Sequence, residues 1–479
     1  MKKQRGNAMT EAVWRLSAAE LHQAYTTGKL SPVDVTRAIL DRIAALNPKL
    51  NAVVHADANG AMRAAEESAA RYRRGEARGP LDGVPATIKD SLVVGGMPAT
   101  WGSLLLKTNR PPTDELPVAR LREAGAVLLG KTNVPEFTVQ GYTHNLLFGS
   151  TGNPWNPDLT PGGSSGGAVS AVAAGFGPIA FGTDGGGSTR RPAGYTGLVG
   201  LKPSIGRIAR NGGFAEIYND IEVLGLFGRT VEDVALTLCA VSAPDARDRH
   251  SLAFQTAVTM EETRHCPARP RILYLPRFNE HPVEAGIVSA VDRVADVLQR
   301  AGCAIESGPM PFDIDDAAAA LATMMPAGLA MIVDKLGGPE KITPALLPMY
   351  EMARSVSGSD YLAALNYTTK LRRQMAGFFS QWDAILTPTA AAQPWARDRV
   401  YPETIDGKPA GPRAHAIYTG WTNLAGLPGL GLPAGLDAAG MPVGFQLIGG
   451  YGRDAMLLGL GRRYEKQAPW ADRWPPGFD

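Results

Sequence analysis

A helix that ends in Ala-Gly and runs directly into an apolar strand occurs twice in this sequence, and this unit constrains the fold most. The first copy is LPVARLREAGAVLLG at 116–130, where Leu116, Val118 and Leu121 form an apolar helix face and Gly125 stands just past the helix end. The second copy is VEAGIVSAVDRVADVLQRAGCAIES at 283–307. Two more apolar segments, VPATIKD and GPIAFGTD, predict short buried strands. We therefore predict an α/β fold with a β-sheet core flanked by helices.

The first copy also contains GAVLLGKT at 125–132, which satisfies the GxxxxGK[S/T] pattern of a nucleotide-binding P-loop. A P-loop needs a strand before its first glycine, a turn between the glycines and a helix that begins at the lysine. Here a helix precedes Gly125, the residues between the glycines are AVLL, and Pro135 disfavours a helix from Lys131. The pattern therefore predicts a strand rather than an ATP site.

The overall composition is typical of a soluble globular protein. The chain has 479 residues, of which 44% are hydrophobic and 20% charged, with a net charge of +2. No run of Lys or Arg predicts nucleic-acid binding or attraction to an anionic membrane, and no segment has the pattern of a signal peptide or a membrane span. We expect a cytoplasmic protein. Three widely spaced cysteines, Cys239, Cys266 and Cys303, predict neither a disulfide framework nor a metal site.

Two segments rich in glycine and serine carry the candidate chemistry. They are PGGSSGGAVSAVAAG, with Ser164 and Ser165, and GTDGGGSTRRPAG, with Ser188. Such segments often form ordinary turns. The second one, however, follows an apolar strand, and its run from Gly185 through Gly186 and Gly187 to Ser188 can direct successive backbone N–H groups at one oxygen. That is the arrangement that holds an oxyanion beside a serine nucleophile.

Three interpretations of these serines compete. GGSSGG satisfies the GxSxG pattern of a nucleophile elbow, but that elbow must follow a strand, and here it follows the proline-broken loop NPWNPDLTPGG. The glycines could instead serve packing alone. In the third interpretation the base is Lys89, which ends an apolar run, where burial would lower its pKa from about 10.4 towards neutrality.

Six stretches of the chain resemble the amidase signature family, in the family's order and with its spacings. They are LDGVPATIKD, GKTNVPEF, FGSTGNPWNP, TPGGSSGGAVSAVAAG, GTDGGGSTRRPAGYTGLVGLKPS and TNLAGLPGLGLPAGLDAAGMPVGFQLIGG. The resemblance extends from about residue 16 to 465, and the 24 positions that separate Ser164 from Ser188 also match. It implies the amidase signature fold, a single large α/β domain built on a twisted mixed β-sheet.

The resemblance also implies roles for individual residues. Ser188 is the expected nucleophile, Ser164 the middle serine, preceded by a cis peptide bond from Gly163, and Lys89 the base. The expected oxyanion donors are Gly185, Gly186 and Gly187. Other residues are expected near the reacting groups: Ser165 as a helper hydroxyl, Asp184 and Arg190 as braces of the glycine turn, and Thr138 as a substrate-binding residue near the acyl pocket. Around Thr138, the residues Gln140, Tyr142 and Asn145 are further candidates for substrate binding, with loop packing as the alternative for each.

The implied activity is hydrolysis of an amide C–N bond through an acyl-enzyme, without a metal or organic cofactor. Carbamates and aryl esters are close chemical neighbours, because the same route serves them. The alternative is a glutamine-dependent amidotransferase subunit that acts with partner chains. The SSLDQ-type sequence of such subunits is absent from NDIEVLGLFGRTVED. We expect a small-molecule amide or carbamate as the partner, without nucleic acid or membrane, and the resemblance is compatible with a homodimer.

We predict one domain over 1–479 with four parts. They are an N-terminal helical segment at 1–75, a catalytic core at 80–310, a helical insertion at 311–379 that shapes the substrate pocket, and a return to the core at 380–479.

Overall fold

The computed structural model describes residues 13–479, and an eleven-stranded mixed sheet forms its centre. The spatial order of the strands is β1-β3-β2-β6-β8-β7-β14-β15-β11-β9-β10. Their bounds are β1 Val53–Ala56, β2 Pro85–Lys89, β3 Val127–Thr132, β6 Ile179–Asp184, β7 Val199–Lys202, β8 Val223–Gly228, β9 Arg271–Tyr274, β10 Ala304–Ser307, β11 Ala384–Pro388, β14 Gly429–Leu436 and β15 Pro442–Gly449. Two small two-stranded sheets pair β4 His144–Asn145 with β5 Gly149–Ser150, and β12 Thr404–Ile405 with β13 Lys408–Pro409.

Thirteen α-helices surround the sheet in residues 13–479. They are α1 Ala18–Thr26, α2 Pro32–Leu50, α3 Ala58–Arg74, α4 Leu116–Glu123, α5 Gly166–Ala173, α6 Arg190–Thr196, α7 Val231–Val241, α8 Ala285–Arg300, α9 Ile314–Lys335, α10 Leu347–Met352, α11 Gly358–Phe378, α12 Gly420–Leu424 and α13 Asp454–Gln467. The predicted α/β class and the single domain around a large mixed sheet are confirmed.

Both helix–Gly–strand units are present. In the first, α4 ends at Glu123, Gly125 has φ +88°, and β3 follows. In the second, α8 is followed by Gly302 at φ +93° and then by β10. The left-handed backbone at these glycines reverses the chain, so that the strand can return along the sheet. A residue with a Cβ adopts this conformation only at a cost in free energy.

The rejection of the P-loop is also confirmed. Strand β3 covers Val127–Thr132, so the glycine-bounded stretch is extended and buried. Lys131 is fully buried, donates to the carbonyl oxygens of Leu92 and Pro98, and lies 3.6 Å from Asp90. Its ammonium group is therefore bound by protein oxygens rather than available to a phosphate.

Three strands of the sheet determine where the site lies. Strand β2 pairs with β3 on one side and with β6 on the other, both in parallel. The carboxyl ends of parallel strands meet at one edge of a sheet, so β2, which ends at Lys89, and β6, which ends at Asp184, finish at the same edge. This edge carries the predicted base and the predicted glycine turn.

The predicted segment boundaries stay predictions, but two local differences are clear. Residues 1–12 of the predicted helical segment lie outside the described residues, and the rest contains β1 as well as three helices. In addition, α9 is long and apolar enough to cross a membrane by length and composition, which contradicts the prediction that no segment reaches that limit. Because 56% of its most apolar 18-residue window is buried against the protein, α9 is packed as a core helix is.

Candidate active site

Lys89 is the last residue of β2, and the fold removes its ammonium group from water. All five residues of the strand are buried, and the lysine side chain is fully buried. Burial lowers the pKa of Lys89 to about 7, because the charged form is the one that loses solvation, while Glu222 and Asp184 oppose this shift. A large fraction of Lys89 is therefore neutral near pH 7.

The contacts of Lys89 suit a neutral amine. Its Nζ lies 2.8 Å from Ser164 Oγ, 2.8 Å from Thr183 Oγ1 and 3.4 Å from the Thr183 carbonyl oxygen. A neutral amine has two N–H donors and one lone pair. The two donors match the oxygens of Thr183, and the lone pair is then free to accept the hydroxyl proton of Ser164.

Ser164 and Ser165 stand in the loop before α5 and are held by tight backbone packing. The expected cis peptide bond between Gly163 and Ser164 is present. A Cβ at Gly163 would lie 2.5 Å from the Tyr142 carbonyl oxygen and 2.8 Å from that of Gln140, so the chain passes here only as glycine. Ser165 stands at the start of α5 and donates its hydroxyl to the Thr183 carbonyl at 3.2 Å, which ties both serines to the end of β6.

The glycine turn after β6 presents Ser188, and Asp184 and Arg190 brace it from within. The two side chains form a fully buried ion pair at 3.1 Å. Burial alone would raise the pKa of Asp184, but the charge and hydrogen bonds of Arg190 outweigh it and hold that pKa well below its usual range. Arg190 also donates to side chains of α12 and β15, namely those of Thr422, Asn423 and Gln446. The turn is thus anchored to α12 and β15.

Arg191 and Thr419 fix the peptide group at Gly186. Both donate to the Gly186 carbonyl oxygen, and Arg191 also donates to the Gly163 carbonyl at 3.3 Å. A Cβ at Gly187, where φ is +108°, would lie 2.1 Å from Thr419 Oγ1 and 2.3 Å from an Arg191 nitrogen. Glycine is therefore required at 187 by backbone conformation and by space.

The predicted set of oxyanion donors needs one correction. The N–H of Gly187 donates to Asp184 Oδ1 at 2.6 Å, so it is already used by the brace of the turn. The N–H groups of Gly185, Gly186 and Ser188 have no acceptor among residues 13–479. The donors left for an oxyanion are thus those of Gly185, Gly186 and Ser188.

The predicted proton relay is formed only in its first part. Ser164 is hydrogen-bonded to Lys89, whereas the hydroxyl of Ser188 has no hydrogen-bond partner among residues 13–479. Ser188 lines a small pocket and is 7% exposed, and Ser164 is 1% exposed. The structure brings Lys89 and Ser164 into contact but forms no hydrogen bond between Ser164 and Ser188.

The pocket at Ser188 divides the four predicted substrate-binding residues. Thr138 and Gln140 line it, together with Val139, Gly185, Gly186, Arg191, Tyr218, Met325 and Arg413. Tyr142 does not, because it packs in an aromatic cluster with Tyr195 and Trp395. Asn145 does not either, because its side chain donates to Asn133 and Val134 and accepts from two backbone N–H groups of its own turn. Their contacts agree with the alternative of loop packing, and a role of these two residues in substrate binding stays a prediction.

Sequence reasoning missed other residues of the site. Thr183 and Arg191 stand within the quoted glycine-serine segment, so their positions could have been included. Tyr218 and Arg413 come from distant parts of the chain, and no local pattern marks them. Met325 belongs to α9, in the predicted helical insertion.

Two other kinds of site find no support in residues 13–479. Within this described part of the chain, no strand leads directly into Ser164, as a nucleophile elbow requires, and no histidine is hydrogen-bonded to Ser164, Ser165 or Ser188. His415 is buried beside Trp395, and neither of its ring nitrogens has a hydrogen-bond partner among the same residues. The described residues also contain no group of three or more His, Cys, Asp or Glu side chains placed to hold a metal ion.

Comparisons with known proteins extend this description. The Amidase family matches residues 34–458. The chain is 35% identical to the A subunit of the glutamyl-tRNA(Gln) amidotransferase of Halorhodospira halophila, over 97% of this chain and 99% of that protein. It is 32% identical to the corresponding A subunit from Carboxydothermus hydrogenoformans, over 95% and 97%.

Solved structures of similar fold include two hydrolases. A bacterial aryl acylamidase of the amidase signature family superposes with a TM-score of 0.88 and 29% identity, over 95% of this chain and 97% of that one. The peptide amidase from Stenotrophomonas maltophilia has a TM-score of 0.80 and 28% identity, over 97% and 98%.

These relatives contradict the partners predicted from the sequence. That prediction describes a chain that meets only a small-molecule amide or carbamate, without nucleic acid, and that is compatible with a homodimer. Several curated relatives that match over nearly their whole length are instead subunits of an amidotransferase. The matched family, the fold and the arrangement at Lys89 and Ser164 agree, and the chain belongs to the amidase signature family.

Proposed function

We propose that this chain cleaves an amide C–N bond through an acyl-enzyme on Ser188, with Ser164 and Lys89 as the proton relay. The observation that supports it most is the contact of Lys89 Nζ with Ser164 Oγ at 2.8 Å, made by a lysine whose pKa is lowered to about 7 by burial. A general base is most effective when its pKa lies near the working pH. Ser188 lies in the adjacent pocket, beside free backbone N–H groups.

In the first half of the reaction, Ser188 Oγ attacks the carbonyl carbon of the amide. The Ser188 proton passes to Ser164 Oγ, and the Ser164 proton passes to Lys89 Nζ. The carbonyl oxygen takes the negative charge and accepts hydrogen bonds from the N–H groups of Gly185, Gly186 and Ser188. The C–N bond then breaks, the leaving nitrogen takes a proton back through Ser164, and an ester on Ser188 remains.

In the second half, water attacks the ester carbonyl. The same relay accepts the proton of the water and returns it to Ser188 Oγ as the C–O bond breaks. The products are a carboxylic acid and an amine or ammonia. The relay requires the Ser188 hydroxyl to rotate towards Ser164, and this rotation takes place when the substrate binds.

The first setting for this chemistry is an amidotransferase, in which the chain releases ammonia from glutamine for use by partner chains. Its support is the 32–35% identity to amidotransferase A subunits over nearly the whole chain. The second setting is hydrolysis of an acylamide, supported by the TM-score of 0.88 to an aryl acylamidase. Carbamate cleavage has no observation of its own in its favour.

Substrate preference of the purified wild-type chain separates these settings. Ammonia release from glutamine and amine release from an acetanilide are measured side by side, each with Ser188→Ala as the blank. The amidotransferase setting predicts release from glutamine that rises when co-expressed partner subunits are present. The acylamidase setting predicts release from the anilide that does not change with them. Activity on either substrate that persists in Ser188→Ala would contradict the shared mechanism.

A further inference from the structure

We propose that a groove beside α9 holds an apolar group of the amide substrate, and that Arg413 controls the passage between this groove and Ser188. The proposal rests on the acyl-enzyme function given above and adds a substrate class to it. That class is amides with an alkyl or aryl group attached close to the scissile bond.

The pocket at Ser188 is too small to hold such a substrate as it stands. Its volume is about 10 Å³, which is room for about one water molecule. A second cavity of about 350 Å³ lies next to it, within the range of roughly 300–1,000 Å³ that is usual for small-molecule sites. The reacting amide group and the rest of the substrate therefore need the two spaces together.

The walls of the larger cavity are built from small and apolar side chains. One wall is the first half of α9, and the other is the segment 413–421. The lining residues are Ile314, Ala317, Ala318, Ala319, Leu321, Ala322, Arg413, Ala416, Ile417, Gly420 and Trp421. Because the alanine side chains on α9 are small, the groove is wide. Arg413 is the one charged side chain in this lining. Such a surface favours the binding of a hydrocarbon group, because the binding free energy comes mainly from the transfer of that group out of water.

The two walls approach closely at Gly420. A Cβ on this residue would lie 2.5 Å from Leu321 Cδ1, so a larger residue would push α9 away from α12. Glycine at this point allows the close contact between the walls, and the alanines of α9 line the groove. The groove is thus a formed feature of the packing between these helices.

Arg413 lines both cavities and is the side chain that stands between them. One of its guanidinium nitrogens lies 3.0 Å from the position of a Cβ on Gly186, at the turn that carries the nucleophile. Within residues 13–479 the Arg413 side chain makes no hydrogen bond and no ion pair, although the neighbouring Arg191 makes three hydrogen bonds. Rotation of Arg413 therefore breaks no polar contact in that part of the chain, and it would join the two spaces.

Alkyl fluorophosphonates test the groove independently of the natural substrate. Each reagent transfers its phosphonyl group to Ser188 Oγ with loss of fluoride, and the rate is followed by peptide mass spectrometry. One series lengthens the P-alkyl group from methyl to octyl and mimics the acyl side, and the other lengthens the O-alkyl group and mimics the leaving side. For a chain that enters the groove, we expect the rate to rise by up to about fourfold per methylene.

The informative variant is Ala322→Phe, which fills the groove from α9, and Ala318→Phe serves as a second variant if the first folds poorly. The matched control is Ala363→Phe on α11, an exposed alanine outside the groove. We expect the groove variant to lose the dependence of the labelling rate on chain length in one series. The control should behave as wild type.

Three outcomes are distinguished by this design. Loss of the chain-length dependence in Ala322→Phe supports the groove, and the series in which it occurs assigns the groove to the acyl or the leaving side. Two results overturn the groove while the acyl-enzyme proposal stands. One is a rate of Ser188 labelling that does not depend on chain length in wild type, and the other is the same dependence on chain length in Ala322→Phe and in the control Ala363→Phe. Failure of every reagent to label Ser188 overturns the acyl-enzyme proposal itself.

Discussion

The two sides of the Ser188 pocket differ in how their polar groups are bonded. On the base side, Lys89, Ser164, Ser165 and Thr183 form one connected set of hydrogen bonds in the buried interior. On the substrate side, the hydroxyl of Ser188, the guanidinium group of Arg413 and the N–H groups of Gly185 and Gly186 have no partners among residues 13–479.

This difference distinguishes groups that must be in place before the reaction from groups that bind during it. A buried base keeps a lowered pKa only while its surroundings are fixed, so its contacts are formed in advance. The unbonded groups face the pocket, where a substrate can supply the missing donors and acceptors. Substitutions on the base side should therefore change rate and pH dependence, and those on the substrate side should change which ligands react.

Ser188→Ala should have the largest effect of any single substitution. Loss of the nucleophile removes covalent catalysis, and we expect kcat to fall by about four to six orders of magnitude. Turnover of the best amide found and labelling by a fluorophosphonate measure this loss. Because the side chain makes no hydrogen bond within residues 13–479, the variant should unfold at the wild-type temperature. Retained turnover at the wild-type rate would exclude Ser188 as the nucleophile.

Lys89→Met should come next, with kcat/KM lower by about 10² to 10⁴-fold, the usual contribution of a general base. The matched control is Lys131→Met, which also removes a buried lysine and lies on the neighbouring strand. The Lys131 ammonium group contacts Asp90 and two backbone carbonyl oxygens instead of the serines. We expect the control to lower the unfolding temperature but to preserve the pH profile of the rate. Equal loss of rate in both variants would point to a general loss of packing instead.

The base side was the more predictable side, for a physical reason. Lys89 ends an apolar run and Ser188 follows one, so each can be placed at the end of a buried strand from local sequence. Parallel pairing of β2 with β6 then brings the two ends to one edge of the sheet. The α4–β3 unit was predictable in the same way, because the helix, the glycine and the strand each carry a local signal.

The substrate side depends on contacts between distant parts of the chain. Tyr218, Met325 and Arg413 reach the pocket from three separate segments, and no local pattern marks Tyr218 or Arg413. The position of Tyr142 and Asn145 outside this pocket has the same origin. Both are close in sequence to the residues that do line the pocket, but the chain turns before them and directs their side chains into neighbouring packing. The N–H of Gly187 was predicted as an oxyanion donor, because only the fold shows that the Asp184 carboxylate already accepts it.

The pH dependence of the wild-type rate sharpens the comparison further. The pKa of Lys89 is lowered to about 7, so below pH 7 the lysine is increasingly protonated and cannot accept the proton of Ser164. We expect kcat/KM to fall about tenfold per pH unit below pH 7 and to level off above it. In Lys89→Met this acid limb should disappear. A limb centred near pH 4 in wild type would assign the base to a carboxylate and not to Lys89.

Ser165→Ala should have the smallest effect and gives the finest test of the base side. The Ser165 hydroxyl donates to the Thr183 carbonyl, which also accepts from Lys89, so its loss loosens the surroundings of the base without removing it. A single neutral hydrogen bond contributes about 0.5–1.5 kcal/mol, and we expect a fall in kcat/KM of about two- to tenfold.

If Ser165 acts through the lysine, its substitution should have no further effect on rate in a Lys89→Met background, because contacting residues are not additive. The double variant is compared with each single variant at pH 8, where Lys89 is mostly neutral. Equal fold losses in both backgrounds would show that Ser165 acts on rate without Lys89, for example by fixing the start of α5. In that event the preformed set of the base side would be limited to Lys89, Ser164 and Thr183.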